Sequence, residues 1–597
     1  AHDARLDRDV QLPGDEIEAL KTLDNFLCDL KEAQIRDGLH VFGRAPEGRL
    51  ERDLAVALAR VSRGEGPGDA SLVRALADDL KLGFDPLTAK LGERWTGPRP
   101  SAVDLAAEAH DDPEAIPPFS GRTTGDLVEW LENLAGMLVE GRLPCPASWR
   151  ATRAVLETVE TIILPRLRAS GRNEVKALLA GLDGRFVPPG PSGAPSRGRL
   201  DVLPTGRNFY SVDNRAVPTP TAWELGRRSA ENLLLRHLQD NGNHLRSLAL
   251  SVWGTANMRT GGDDIAQALA FIGARPVWDA GSLRVSGYEI IPLARLGRPR
   301  VDVTLRISGF FRDAFPAQIA LFDRAVRAIG ALDEPEEENP IAARMRRDAL
   351  GLMAAGASNA EAAERAGYRI FGAATGAYGG GLGALVESGE WRDRADLAAA
   401  VLDAGQFAYG ARQQGAPARA QFAARLAEID AVVHNQDNRE HDLLDSDNYY
   451  QYEGGLVAAA ETLAGRAPVA YHNDHSRPDR PLARTLAEEI GRVVRSRVVN
   501  PKWIEGVKRH GYKGAFEIIA TVDYMFAFAA TTGAVGSHHF DLAFAAYVED
   551  EATREFIRRN NPFGYGELLR KFAEARARGF WNPRSNSAHA LIEETPP

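Results

Sequence analysis

Leu248-Ala249-Leu250-Ser251-Val252-Trp253 is a nearly unbroken apolar run, and ten residues on, Asp263-Asp264-Ile265-Ala266-Gln267-Ala268-Leu269-Ala270-Phe271-Ile272 is rich in apolar residues behind two acids. The first segment suits a strand buried on both faces, and the second suits a helix whose N-terminus carries negative charge. With Arg275 to Trp278 as a second strand, the stretch reads as a β-α-β unit. Tyr288 to Leu293 and Val301 to Ser308 add strand, and Phe315 to Leu332 adds a helix. The expected fold is therefore α/β, with one doubly wound, parallel-type sheet over about 245–333. Ligands of such sheets lie beyond the carboxyl ends of the strands. Here those ends carry Trp253-Gly-Thr-Ala-Asn257 and Ser308-Gly-Phe-Phe-Arg-Asp313.

Upstream, Val187 to Gly198 is broken by Pro and Gly throughout, which no helix or central strand could absorb. It reads as a domain boundary or an ordered active-site loop, within a connecting segment at 187–244. Residues 1–186 carry helical stripes, Leu20, Leu23, Leu27, Leu30 and Gln34 in one and Leu127, Trp130, Leu131, Leu134 and Leu138 in another. Both are read as core of an all-helical domain. Downstream of the acidic break Glu334 to Pro340, helices are expected to persist through 334–597, giving a large all-helical C-terminal region.

The formal net charge of -10 and a pI near 5.8 argue against nucleic acid or an anionic membrane as the main partner. No run of eighteen apolar residues suggests a membrane span. Two cysteines, Cys28 and Cys145, cannot build a disulfide framework or a thiolate metal site, so the expected setting is a reducing cytoplasm. The chain has no Gly-Lys dipeptide and hence no phosphate-binding loop, so any ATP must be hydrolysed by another protein.

The densest chemistry lies in His434-Asn-Gln-Asp-Asn-Arg-Glu-His-Asp-Leu-Leu-Asp-Ser-Asp447, with two histidines and five carboxylates in fourteen residues. Imidazole and carboxylate together hold divalent metals and move protons. If residues 431–443 are helical, His434, Asp437 and His441 share one face. His472 and His475 make a second pair at i, i+3, and His538 and His539, being adjacent, can contribute at most one ligand. The competing reading of the acids is helix capping and ion pairing.

Leu203-Pro-Thr-Gly-Arg-Asn-Phe-Tyr210, Trp253 to Gly262, Arg300 to Pro316, Asn435 to Asp447 and Asn500-Pro-Lys-Trp-Ile-Glu-Gly506 together resemble the CobN family, the large subunits of aerobic cobaltochelatases, and in altered form those of magnesium chelatases. The resemblance spans Leu23 to Pro583. It implies insertion of Co2+, as substrate metal, into hydrogenobyrinic acid a,c-diamide. It also implies ATP, with Mg2+, hydrolysed by AAA+ partner subunits of the CobS and CobT type. Family members are about twice as long, so this chain resembles their C-terminal half. The residues expected at such a site are His434, His441, His472 and His475 for metal, with His441, Asp437 and Glu440 as catalytic groups. Arg207, Asn208, Asn257 and Arg312 are expected to meet the ring's periphery, since guanidinium binds carboxylate bidentately.

Overall fold

The computed structural model describes residues 6–593 apart from 11, 34–38, 65, 101–118 and 211. Seven strands form its main sheet: β1 (Ser247–Val252), β2 (Asp302–Ile307), β3 (Ile370–Gly372), β4 (Phe407–Tyr409), β5 (Gln414–Pro417), β6 (Ala431–Gln436) and β7 (Val469–Asp474). Their spatial order is β7-β6-β1-β2-β3-β4-β5. The first five in that order run parallel, and β4 and β5 extend the β3 side antiparallel. Strand succession moves outward from β1 in both directions, so the order reverses between β1 and β6.

Apolar layers cover both faces of the sheet, which is why β1 reads as a continuous apolar run. Leu248, Leu250, Val252, Val303, Leu305, Ala431 and Val433 face one core, packed by helices α1 (Pro220–Asn241), α2 (Asp263–Ile272) and α3 (Pro316–Gly330). A Cβ at Gly226 would lie 2.6 Å from the backbone nitrogen of Gln267, so glycine lets α1 and α2 touch. Ala249, Phe371 and Val432 face the other core, built from α4 (Arg394–Gly405), α5 (Gly455–Ala464) and α6 (Gly511–Thr531). Helix α6 is long and apolar enough to cross a bilayer, but most of it is buried in this core. The helices between Arg49 and Leu182 enclose a third core.

The structure corrects several expectations. Ala274–Trp278 is a strand, but it pairs antiparallel with Val285–Ile290 in a separate hairpin, so the parallel crossover from β1 runs through α2 to β2. Its alternating burial is that of a ribbon with one wet face. The sheet also does not stop at 333, because β3 to β7 come from the region expected to be helical. These strands are three to six residues long, too short for periodicity to separate from helix. Residues 431–436 are strand, not helix, so His434, Asp437 and His441 do not share a helical face.

The stripe from Leu127 to Leu138 is buried, in a helix opened by a Thr123–Asp126 capping box. Leu20 and Leu27, in contrast, are 61% and 42% exposed, and Gln34 lies outside the described residues.

Candidate functional site

Strands β6 and β7 place two imidazoles side by side. In their parallel register His434 lies opposite His472, Asn435 opposite Asn473 and Gln436 opposite Asp474. Registered neighbours point to the same face, so both histidines look toward the α4–α6 layer. Their ring centroids are 5.2 Å apart and both side chains are buried. Trp253, at the end of β1, packs on His434 at 4.7 Å, and Tyr449 closes the group at 5.2 Å from His434 and 5.9 Å from His472. His441 joins from the loop after β6, its Nδ1 hydrogen-bonded to the Tyr449 hydroxyl at 2.8 Å.

Buried polar atoms are nearly always partnered. Here His434 Nδ1, His472 Nε2, Glu453 Oε1 and Trp253 Nε1 have no partner among the described residues. Burial holds His434 well below its ordinary pKa, reinforced by the neighbouring His472, His441 and His475. Burial also works against charge on His472, but the Glu453 carboxylate, 2.8 Å from its Nδ1, outweighs this and raises it. Burial raises Glu453 itself.

Most acids of the His434–Asp447 segment are structural. Asp437 accepts from both Nε and Nη2 of Arg259, which keeps it below the ordinary carboxylate value although burial pushes it up. Asp442 is gripped the same way by Arg497, and Asp447 accepts from Gln451. Glu440 accepts from the backbone and hydroxyl of Ser196, at 3.1 and 2.8 Å. That contact, with Arg197 donating to the carbonyls of Asp437 and His475, straps the Pro/Gly-rich segment across the ends of β6 and β7. The segment is thus an ordered loop over the site.

Several expected residues lie elsewhere. His475 turns to the opposite face of the sheet, where Nε2 meets Ser229 at 2.6 Å and Nδ1 stands 3.7 Å from Asp263. Asn257 is fully buried, its amide nitrogen donating to Asp264 and to the Trp253 carbonyl, and it does not line the cleft described below. Arg312 is locked by Asp313 and the carbonyls of Ala373, Ala374 and Ala377, holding the loop that follows β3. His538 and His539, adjacent on a helix, both converge on Asp9, at 2.6 and 2.7 Å, because they sit in a first turn that opens toward it. The Gly536 amide donates to His539 Nδ1, which fixes Nε2 as a proton donor to Asp9. The arrangement is a satisfied anchor for the N-terminal segment.

Beside the strap lies a largely apolar cleft of about 480 Å³, lined by Pro191, Phe209, Met258, Phe310, Arg207 and Arg259 among others. Phe209 is 68% exposed. Among the described residues Arg207 donates to the carbonyls of Asp201 and Leu203, and Asn208 is exposed beside it. The cleft wall is the helix Gly254–Thr260 that follows Trp253, pressed against Phe310 because Gly254 carries no Cβ. Trp253, Tyr449 and Glu453 are neighbours of the two imidazoles that the sequence did not place there. A signal existed: Ala431-Val-Val-His-Asn-Gln436 and Val469-Ala-Tyr-His-Asn-Asp474 share the pattern of three apolar residues, His, Asn and a polar residue.

The sheet order thus reverses beside a cluster of buried imidazoles, next to an apolar cleft whose lining includes Arg207 and Arg259. The sequence matches the CobN/Magnesium Chelatase family over residues 1–588, and the chain belongs to that family. It is 60% identical to the aerobic cobaltochelatase subunit CobN of Sinorhizobium sp over 98% of this chain and 46% of that protein. To the chloroplastic magnesium-chelatase subunit ChlH of Oryza sativa subsp. japonica it is 32% identical, over 99% of this chain and 43% of the other. The solved catalytic subunit of cobaltochelatase from Mycobacterium tuberculosis superposes with a TM-score of 0.86 at 39% identity, covering 100% of this chain and 48% of that one. The chain therefore spans about half the length of the relatives it matches.

Proposed function

We propose that this chain carries the metal-inserting part of a cobaltochelatase large subunit, which places Co2+ into hydrogenobyrinic acid a,c-diamide. The partners would be AAA+ subunits of the CobS and CobT type that hydrolyse ATP with Mg2+, in the cytoplasm. The observation that carries this reading is the His434–His472 pair, with one unpartnered nitrogen on each ring. Two imidazoles bound to one tetrahedral ion, each nitrogen about 2 Å from it, put their ring centres roughly 5 Å apart. The observed separation is 5.2 Å.

Two protein ligands leave coordination positions for ring nitrogens, so the ion can be passed on. Imidazole suits cobalt, whereas magnesium takes oxygen ligands, and this favours cobalt over magnesium and protoporphyrin. His441, held by Tyr449 next to the pair, is the group proposed to take protons leaving the ring. We read the sheet as doubly wound, with its crevice at the β1–β6 reversal. The cleft beside it would hold the macrocycle, its ring against Phe209 and Phe310 and its carboxylates or amides near Arg207 and Asn208. An alternative is a corrinoid-binding and docking role with chelation completed by other parts of the protein. The test is Co2+ binding by the full-length protein and by its His434→Ala and His472→Ala variants. Loss in both supports insertion at this pair, and unchanged affinity in both leaves only the binding role.

A further inference from the structure

Glu453 sits on a π-helical turn, Tyr450–Gly454, of the kind that often marks functional positions. Its neighbour Gly454 is pressed so closely onto Thr531 that a Cβ there would lie 2.3 Å from the hydroxyl, and this seats the turn against the layer beneath the sheet. The Glu453 side chain is fully buried. One oxygen meets His472 Nδ1 at 2.8 Å, and the other has no partner among the described residues. Its buried neighbour Glu489 is paired with Arg492, but among the described residues no arginine or lysine lies within ion-pair distance of Glu453. An isolated buried carboxylate is costly, and an imidazole alone offsets it weakly. A divalent ion on the far nitrogen of that imidazole would supply the missing positive charge, while the carboxylate fixes the ring so that Nε2 presents its lone pair.

We propose that Glu453 is the positioning residue and charge counterpart of the metal site, orienting His472 and balancing the cation that His472 holds. This rests on the ligand role proposed above for His472. The test uses the full-length protein and Co2+ alone, reading affinity by competition with a chelator dye, the cobalt ligand-field spectrum, and thermal unfolding of the metal-free protein. Glu453→Gln keeps an oxygen to accept from His472 Nδ1 but removes the charge. It is expected to bind Co2+ about 10- to 100-fold more weakly, while the metal-free protein unfolds at an equal or higher temperature. A merely structural residue would lower stability and leave the affinity of the folded protein alone. Glu453→Ala is expected to weaken binding further and to change the ligand-field spectrum as the ring loses its orientation. Glu453→Asp, which keeps the charge at shorter reach, is the second variant and is expected to bind more tightly than Glu453→Gln. If His472→Ala weakens cobalt binding while Glu453→Gln and Glu453→Ala leave affinity and spectrum unchanged, the role of Glu453 is overturned by itself. Unchanged affinity in His472→Ala overturns the ligand assignment and this inference together.

Discussion

Arg259 and Asp437 form a two-pronged ion pair, Nε to Oδ2 at 2.7 Å and Nη2 to Oδ1 at 2.8 Å, that ties the helix after β1 to the first residue beyond β6. It bridges the two strands between which the sheet order reverses. Both partners are mostly buried, with Asp437 5% exposed. Arg259→Ala is expected to leave an uncompensated buried carboxylate and to destabilise the protein by about 3–5 kcal/mol, measured by chemical denaturation. Arg259→Ala together with Asp437→Asn is expected to recover part of that loss.

Asp264 gives a stability signature with pH. Burial, with the charges of Asp263 and Asp437, pushes its carboxyl up to about 7 against hydrogen bonds from Asn435 and Asn257. An unfolded-state carboxyl titrates near 3.9, so between about pH 4 and 7 the folded chain holds a proton that the unfolded chain has lost. The contribution of Asp264 is therefore most favourable at the acid end and falls as pH rises through that window. Infrared difference spectra are expected to show protonated carboxyl absorption titrating near 7 that is reduced in Asp264→Asn, the remainder coming from Asp523, which burial also pushes up to about 7. A carboxyl titrating near 4 would contradict the assignment.

Tyr449→Phe removes only the hydroxyl that meets His441 and keeps the ring against Trp253 and His434. One hydrogen bond is worth about 1 kcal/mol of stability. In the assembled enzyme, His441→Ala is expected to lower the turnover number at least about a hundredfold with a smaller change in KM, and Tyr449→Phe to fall between it and wild type. A KM effect alone would place His441 in binding.

These outcomes bear on how far the site could be read from sequence. β1 was legible as a nearly unbroken apolar run and β2 by the alternation of Val303, Leu305 and Ile307 with polar residues, although both strands are buried on both faces. β6 and β7 were not, because their apolar halves are three residues long and their second halves are polar residues packed at a strand end. The cluster at 434–447 was visible as composition. Its division of labour was not, because whether Asp437 or Asp442 is free depends on Arg259 and Arg497, distant in sequence and supplied only by the fold. His472 was paired with His475 by spacing, whereas strand alternation sends them to opposite faces and registers His472 with His434.

The function proposed above puts ring binding in the cleft, apart from metal binding at His434 and His472. Phe209→Ala and Arg207→Glu alter exposed residues on its rim, so stability is expected to stay within about 0.5 kcal/mol of wild type. Affinity for the proposed corrin substrate, measured by fluorescence or calorimetry, is expected to drop about tenfold in each, with Co2+ affinity unchanged. Loss of Co2+ binding in these variants would contradict the separation.

The most direct measurement is X-ray absorption at the cobalt edge of the Co2+-loaded full-length protein, comparing wild type with His434→Ala, His472→Ala and the double variant. The two imidazoles are expected to appear in the wild-type spectrum, one to be lost in each single variant, and both to be lost in the double. A wild-type imidazole signal that persists unchanged in the double variant would contradict the placement of cobalt between His434 and His472.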